Sequence, residues 1–278
     1  MTEPLRHPSL AMLDAKPFVV MGVLNVTPDS FYDGGRYAAA DAAHAQALAM
    51  IAAGADIIDI GGESSRPGAA PVTAEVEMKR VLPVIERLRA ESSVIISIDT
   101  TKSAVANAAL KAGATWINDT SAGRFDAGMA RLAAAVHCPV VLMHSRKTPA
   151  DMQIAPMYAD VVAEVRKEIL GRIAAFTECG VSPRNIIIDP GIGFAKRLED
   201  NLALIKGLHS LVSLGYPVLI GTSRKSFIGA ITGRQPDMRL AGTLASVAAA
   251  YAKGAKIFRV HDVGETVDFL KVLTALAV

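Results

Sequence analysis

Eight short runs of apolar, largely β-branched residues recur along this chain, each closed by turn residues and each followed by a segment of helical character. They occupy residues 18–25, 56–61, 94–99, 116–119, 139–144, 185–189, 217–221 and 257–261. Their near-continuous hydrophobicity suits parallel strands covered on both faces better than strands with one wet face. Between them, apolar residues repeat at helical spacing, as in Leu48, Ile51, Ala52 and Ala55, or Val81, Val84, Ile85 and Leu88. Five of these segments stop at a glycine shortly before the next run: Gly54, Gly113, Gly180, Gly215 and Gly254. Glycine adopts the left-handed conformation that closes a helix at little cost, so the five mark a repeated return from helix to strand. A chain of 278 residues suits one (β/α)₈ TIM barrel, which typically needs about 250 residues. The expectation is a single α/β barrel domain over 1–278 with residues 1–16 as an N-terminal tail. An open doubly wound sheet is the architectural alternative.

Composition narrows the function classes. Hydrophobic residues make up 51% and charged residues 20%, which argues against disorder. A formal charge of +2, with no run of five or more Lys or Arg, gives no nucleic-acid surface. The first sixteen residues lack the apolar run of a signal peptide, and no stretch of about 18 apolar residues suggests a membrane span. Cys138 and Cys179 form no C-x-x-C pair and are expected to be buried or incidental thiols. A soluble protein of the cytoplasm is expected.

Polar residues collect where the apolar runs end: Asn25, Glu63, Asp99, Asn118, His144, Asp189, Lys225 and His261. In a barrel those ends meet at one mouth, where such enzymes place their chemistry. That turns are polar accounts for one or two of them, less well for eight. Asn25 offers an uncharged oxygen suited to Mg²⁺, although an Asn turn would look the same. The stretch from Thr27 to Tyr37 is glycine-rich with an aromatic centre, as a mobile lid would be. In Gly61-Gly62-Glu63-Ser64-Ser65-Arg66-Pro67-Gly68 the paired glycines permit close backbone approach and Arg66 suits an anion, while Glu63 reads as an organiser of the loop. Asp189-Pro190-Gly191-Ile192-Gly193-Phe194 lacks the G-x-G-x-x-G spacing of a dinucleotide site. In Gly221-Thr222-Ser223-Arg224-Lys225-Ser226 a strand runs into a helix start whose amides, with Ser226, suit a carboxylate or phosphate. Asp99, Asn118 and Asp189 are acceptors for a heterocycle rich in N–H donors, with Lys225 as the cation between the acids in the empty site. Arg259 and His261 alternate onto one face and point to diphosphate. Asp119 and Asp262 alternate away from it. Of the other histidines, His7, His44 and His209 read as solvated, His137 lies at the far barrel end, and His144 has a minor claim to contact ligand.

Taken together, Leu24-Asn25-Val26-Thr27-Pro28-Asp29-Ser30-Phe31, the Gly61–Gly68 motif, Ile117-Asn118-Asp119, Asp189-Pro190-Gly191-Ile192-Gly193-Phe194, Ser223-Arg224-Lys225-Ser226 and Arg259-Val260-His261-Asp262 resemble the dihydropteroate synthase family, in family order and over nearly the whole chain. The resemblance implies a TIM barrel with a pterin slot. It also implies the condensation of 6-hydroxymethyl-7,8-dihydropterin diphosphate with p-aminobenzoate to 7,8-dihydropteroate and diphosphate, in folate biosynthesis. Asp99, Asn118, Asp189 and Lys225 fall on the family's pterin positions, with Met143 beneath the ring. Asn25 falls on the Mg²⁺ position, and Arg259 and His261 on the diphosphate positions. Ser65, Arg66, Pro67, Phe194 and Ser226 fall where p-aminobenzoate and its sulfonamide mimics are held. Asp99, Lys225, Arg259 and His261 are the expected catalytic set, Mg²⁺ the expected cofactor and a homodimer the expected assembly. Many family members carry threonine at the position of Ser65. The missing methyl is worth on the order of 1 kcal/mol, enough to bear on arylamine or sulfonamide affinity.

Three rival classes remain in view. A pterin-dependent methyltransferase would not need Arg259, His261 and the Ser-Arg-Pro loop. An inactive pterin-binding paralogue would have lost Asn25, Asp99 or Lys225. A phosphate-sugar barrel would show a glycine-rich phosphate grip and an acid–base pair in place of the acceptors.

Overall fold

The structure, a computed structural model, describes residues 6–27, 35–64, 68–147 and 157–276, without the side chains of 35–39. Eight strands appear: β1 Val19–Asn25, β2 Ile57–Gly61, β3 Ile95–Asp99, β4 Trp116–Asp119, β5 Val140–Met143, β6 Ile186–Asp189, β7 Leu219–Ile220 and β8 Ile257–Val260. All neighbours pair in parallel in the order β6-β5-β4-β3-β2-β1-β8-β7. The parallel bridge Ile188↔Val218 joins β6 to β7 and closes the ring. The architecture is therefore the (β/α)₈ barrel, not the open sheet.

The helices lie between the strands. A short α1 (Met12–Ala15) precedes β1. Then come α2 (Gly35–Ala52), α3 (Ala74–Glu91), α4 (Ser103–Ala112), α5 (Gly128–Val136), α6 (Val161–Glu178), α7 (Leu198–Lys206), α8 (His209–Val212), α9 (Ser226–Thr232), α10 (Leu240–Tyr251) and α11 (Val263–Leu276). All five glycines expected to end helical segments have left-handed φ, from +81° at Gly215 to +117° at Gly113. On α3 the expected stripe of Val81, Val84, Ile85 and Leu88 is buried to within 1%. On α2 the expected stripe holds only in part: Ile51 and Ala55 pack on the core, but Leu48 is 37% exposed, and the helix turns Ala43, Ala47 and Met50 to the barrel. The physical reason is the alanine content of α2. Alanine packs against a sheet or stands in water at small cost either way, so periodicity alone does not pick the face.

Strand alternation sorts the core into two layers. Val20, Leu24, Ile58, Ile60, Ile96, Ile98, Ile117, Leu142, Ile188 and Phe258 face the helices. Val19, Met21, Ile57, Trp116, Val141, Ile187, Leu219 and Ile257 fill the barrel interior. Each such side chain contributes roughly 1.5–3 kcal/mol on burial. The N-terminal segment belongs to the inner layer. A 3-10 turn over Pro8–Ala11 leads into α1, and Leu10 (1% exposed) and Leu13 (4%) join the interior cluster. The Trp116 indole donates to Ser9 Oγ at 2.7 Å, and the backbone N–H of His7 donates to Asn185 Oδ1 at 2.8 Å. Two histidines expected to meet solvent are partly or fully withdrawn from it. His7 is half-buried with Nδ1 2.7 Å from Ser9 Oγ, and His44 is buried with Nε2 3.3 Å from Glu91. His209 is exposed, as expected.

Candidate active site

With the apolar interior filling the N-terminal end of the barrel, alternation leaves polar side chains pointing inward at the C-terminal end. Register places them level with one another: Asn25 opposite Gly61, Gly61 opposite Asp99, Asp99 opposite Asn118, and Met143 opposite Asp189. One step deeper, Asp59 on β2 lies opposite Ser97 on β3, both fully buried.

The charges form a connected set. Arg259 reaches across from β8, donating from Nε to Asp59 Oδ2 (2.6 Å) and from Nη2 to Asp99 Oδ2 (2.6 Å). Asp59 Oδ2 also accepts from Asn118 Nδ2 at 2.9 Å. The sequence placed Lys225 between the acids. In the fold, Arg259 makes the direct contact to Asp99, and the second acid on it is Asp59. Lys225 holds its ammonium 4.1 Å from the centre of the Phe194 ring, where it feels the charges of both Asp189 and Asp99. The longer, forked guanidinium spans two carboxylates on different strands through separate N–H groups.

Burial shifts the titration of this set. Asp99 is pushed up, by burial first and by the nearby carboxylate of Asp59, against the pull of Arg259. Burial raises Asp189 to about 6, although the Gly191 N–H donates to its Oδ1 at 2.7 Å. Burial and then Arg259 bring Lys225 down to about 8. The His261 ring keeps an exposed edge at the mouth. Its pKa is lowered, first by the crowding that strips water from its inner side and then by Arg259 and Arg224. Its Nδ1 lies 3.0 Å from Ser223 Oγ, which also accepts from the His261 backbone N–H at 3.2 Å. Such shifts gather where chemistry is done.

The remaining expected residues fall as follows. Phe194 packs with Met143 and Ala195 in a small apolar cluster beside the acceptors. Ser226 opens α9 at the surface of the mouth, with Lys225 as its N-cap. Ser65, Arg66, Pro67 and most of the 27–37 stretch lie outside the described residues. Glu63 is a loop organiser: its Oε2 accepts from Val72 N (3.1 Å) and from Lys102 Nζ (2.5 Å), which also reaches the buried Glu77. Asp119 faces outward and accepts from Ser121 and Gly123, and Asp262 pairs with Arg224. His144 is a correction to the mouth cluster. With Met143 turned inward, His144 turns out toward α6, where Nε2 meets Glu168 at 3.0 Å.

The family model described as "Pterin binding enzyme" matches residues 21–261. The dihydropteroate synthase of Bacillus subtilis is 47% identical over 258 residues, covering 93% of this chain and 88% of that protein. The Xanthomonas albilineans dihydropteroate synthase solved with 4-aminobenzoic acid superposes with a TM-score of 0.89 at 49% identity, covering 94% of each chain. The same enzyme in complex with 7,8-dihydropteroate superposes at 0.86. The chain belongs to the dihydropteroate synthase family.

Two charged residues at this dihydropteroate synthase-family site, Asp59 and Lys196, do not stand out among the motifs of the sequence. Asp59 stands between Ile58 and Ile60, and alternation alone would have put it inside with Ile57; a carboxylate in the middle of a buried strand was the available signal. Lys196 is 4% exposed just beyond Phe194 and carried no comparable signal, since lysines in loops are ordinarily solvated.

Proposed function

We propose that Asp99, Asn118, Asp189, Lys225, Arg259 and His261 carry out the family's transferase reaction in this chain. In that reaction the pterin-methyl diphosphate condenses with p-aminobenzoate to give 7,8-dihydropteroate and diphosphate. The observation that carries the assignment of roles is the acceptor ring at the barrel mouth with two cations inside it. A pterin edge presents a 2-amino group and ring N–H donors, which Asp189, Asn118 and Asp99 can accept, while Lys225 donates to the ring carbonyl. Met143 and Phe194 supply the apolar surface against which a flat ring lies.

The C–O bond of the methylene breaks with its electron pair leaving on diphosphate. Arg259, whose Nη1 has no partner among the described residues, and His261 at the rim stabilise that departing charge. The carbocation left behind is delocalised into the pterin, with Asp99 as counter-charge. The arylamine lone pair then forms the C–N bond, and its proton leaves to solvent, so no strong general base is needed. Phe194 and Ser226, with Ser65, Arg66 and Pro67, hold the arylamine. Asn25 would hold Mg²⁺ through its one neutral oxygen, which points into the mouth, and such an ion would draw its other ligands from water and phosphate. When bound, Mg²⁺ supplies charge neutralisation on the diphosphate.

The chain works, on this reading, as a cytoplasmic homodimer. The family resemblance supports the dimer, as do exposed apolar side chains at Ile231, Met238, Val272 and Leu276 on and beside α9 and α11. Among the described residues no helix is long and apolar enough to cross a membrane.

The test is diphosphate release by purified protein with Mg²⁺ and the pterin-methyl diphosphate, with and without p-aminobenzoate. Release that depends on the arylamine and yields dihydropteroate is expected, and Asp189→Ala should abolish it. Pterin binding without release would identify an inactive paralogue instead.

A further inference from the structure

Lys196 is a buried lysine that touches no carboxylate among the described residues. Its Nζ donates to Gly191 O (2.9 Å), Phe194 O (3.0 Å) and His144 Nδ1 (3.0 Å), with His144 O further off at 3.3 Å. An ammonium has three N–H groups, and three acceptors lie at 2.9–3.0 Å. The first two acceptors belong to the loop after β6, the third to the end of β5. Because Nδ1 accepts, the His144 proton lies on Nε2, where it is donated to Glu168, and Glu168 is gripped in turn by Arg146 and Arg124. The loop is pressed hard against this anchor: a Cβ on Gly191 would lie 2.0 Å from His144 O. Burial draws the Lys196 pKa down to about 7, against the pull of the Asp189 charge.

We propose that Lys196 is a positioning residue that fixes the backbone of Phe194, and so the arylamine wall of the site, from behind. Asp189 feels the Lys196 charge but takes none of its hydrogen bonds. The Asp189 carboxylate is set by strand β6 and by its own bond from the Gly191 N–H, two residues away. Phe194 has no strand to hold it: its carbonyl is tied to Lys196, and its N–H closes a turn onto Gly191 O, the other carbonyl that Lys196 holds. Loss of the ammonium should therefore loosen the arylamine subsite more than the pterin subsite. The inference rests on the functional reading above, in which Phe194 meets the arylamine.

The experiment is steady-state kinetics of Lys196→Met, varying each substrate separately, alongside the wild type. The KM for p-aminobenzoate should rise about tenfold or more while the KM for the pterin diphosphate stays within about threefold. A lysine that only stabilised the fold would lower Tm and the active fraction and leave both KM values in place, which would overturn the proposal. Equal rises in both KM values would also overturn it. Should Lys196→Met not fold, Lys196→Gln keeps two donors and should raise the arylamine KM alone, to an intermediate value; an unchanged KM there is equally fatal. A wild type that forms no product sinks the functional reading and this inference together, whereas normal wild-type kinetics with no KM split in the variants sinks only the inference.

Discussion

Arg259 brings one positive charge to Asp59 and Asp99, which bring two negative ones, all inside the barrel. That imbalance makes each acid sensitive to the other. Arg259 Nε and Asn118 Nδ2 both donate to Asp59 Oδ2, so Asp59→Asn keeps one oxygen for them but removes the charge that Arg259 pairs with. A hydrogen bond to a charged group is worth about 1.5–3 kcal/mol, so kcat/KM for the pterin diphosphate should fall by roughly one to two orders of magnitude. The same change removes the like charge beside Asp99, and the acidic limb of the pH–kcat/KM profile should move to lower pH. A profile that stays in place would show that Asp59 does not reach Asp99 electrostatically. Asp189 supports a second pH prediction. Its folded pKa is raised to about 6 by burial, so the empty site holds it protonated below that value, while the pterin donors need the carboxylate. Pterin affinity should weaken as pH falls through about 6. For the ligand-free fold the sign is opposite: the stability linked to the protonated form is present at low pH and lost as pH rises through about 6. The Tm of Asp189→Asn relative to wild type should therefore rise between pH 5 and pH 8, which thermal melts would read directly.

At the level of elements, the loop between β6 and α7 shows why some glycines here have no substitute. Gly191 has φ +69°, and an added Cβ would run into the carbonyl of His144 at 2.0 Å. Gly191→Ala combines a left-handed penalty with a backbone clash, so a loss of about 2–4 kcal/mol is expected, with weakened pterin binding because the Gly191 N–H would shift off Asp189. A Gly191→Ala melt within a degree or two of wild type would mean that the loop has more room than the structure shows. The helix-capping glycines were readable from sequence because a helix stop is a local event. The conformation of Gly191 was not, because what forbids a side chain there is the end of β5, 47 residues away in the chain.

On the scale of the whole molecule, the barrel is filled at one end and open to chemistry at the other. The filled end is completed by a segment that precedes the barrel in sequence: Leu10 and Leu13 lie against the interior layer, tied by Ser9 to Trp116 and by His7 to Asn185. Leu10→Ala should cost about 2–5 kcal/mol of stability, measured by denaturant unfolding, with both KM values unchanged because the mouth lies at the opposite end. A rise in KM would show that the two ends are mechanically coupled.

The amino-acid sequence alone determined the eight-fold strand and helix repeat, the closed barrel and the residues that gather at its mouth. Those features follow from local alternation, helix stops and the chain order of the motifs, and a (β/α)₈ barrel converts chain order directly into position around a ring. Only the tertiary structure decided which residues pair across that ring. That Arg259 ties Asp59 to Asp99, that His144 turns out to Glu168 and that Lys196 is dry all depend on register and on side-chain reach between elements far apart in sequence. It decided too that α2 presents Ala43, Ala47 and Met50 to the barrel, since an alanine-rich helix has almost no preference until a packed surface imposes one.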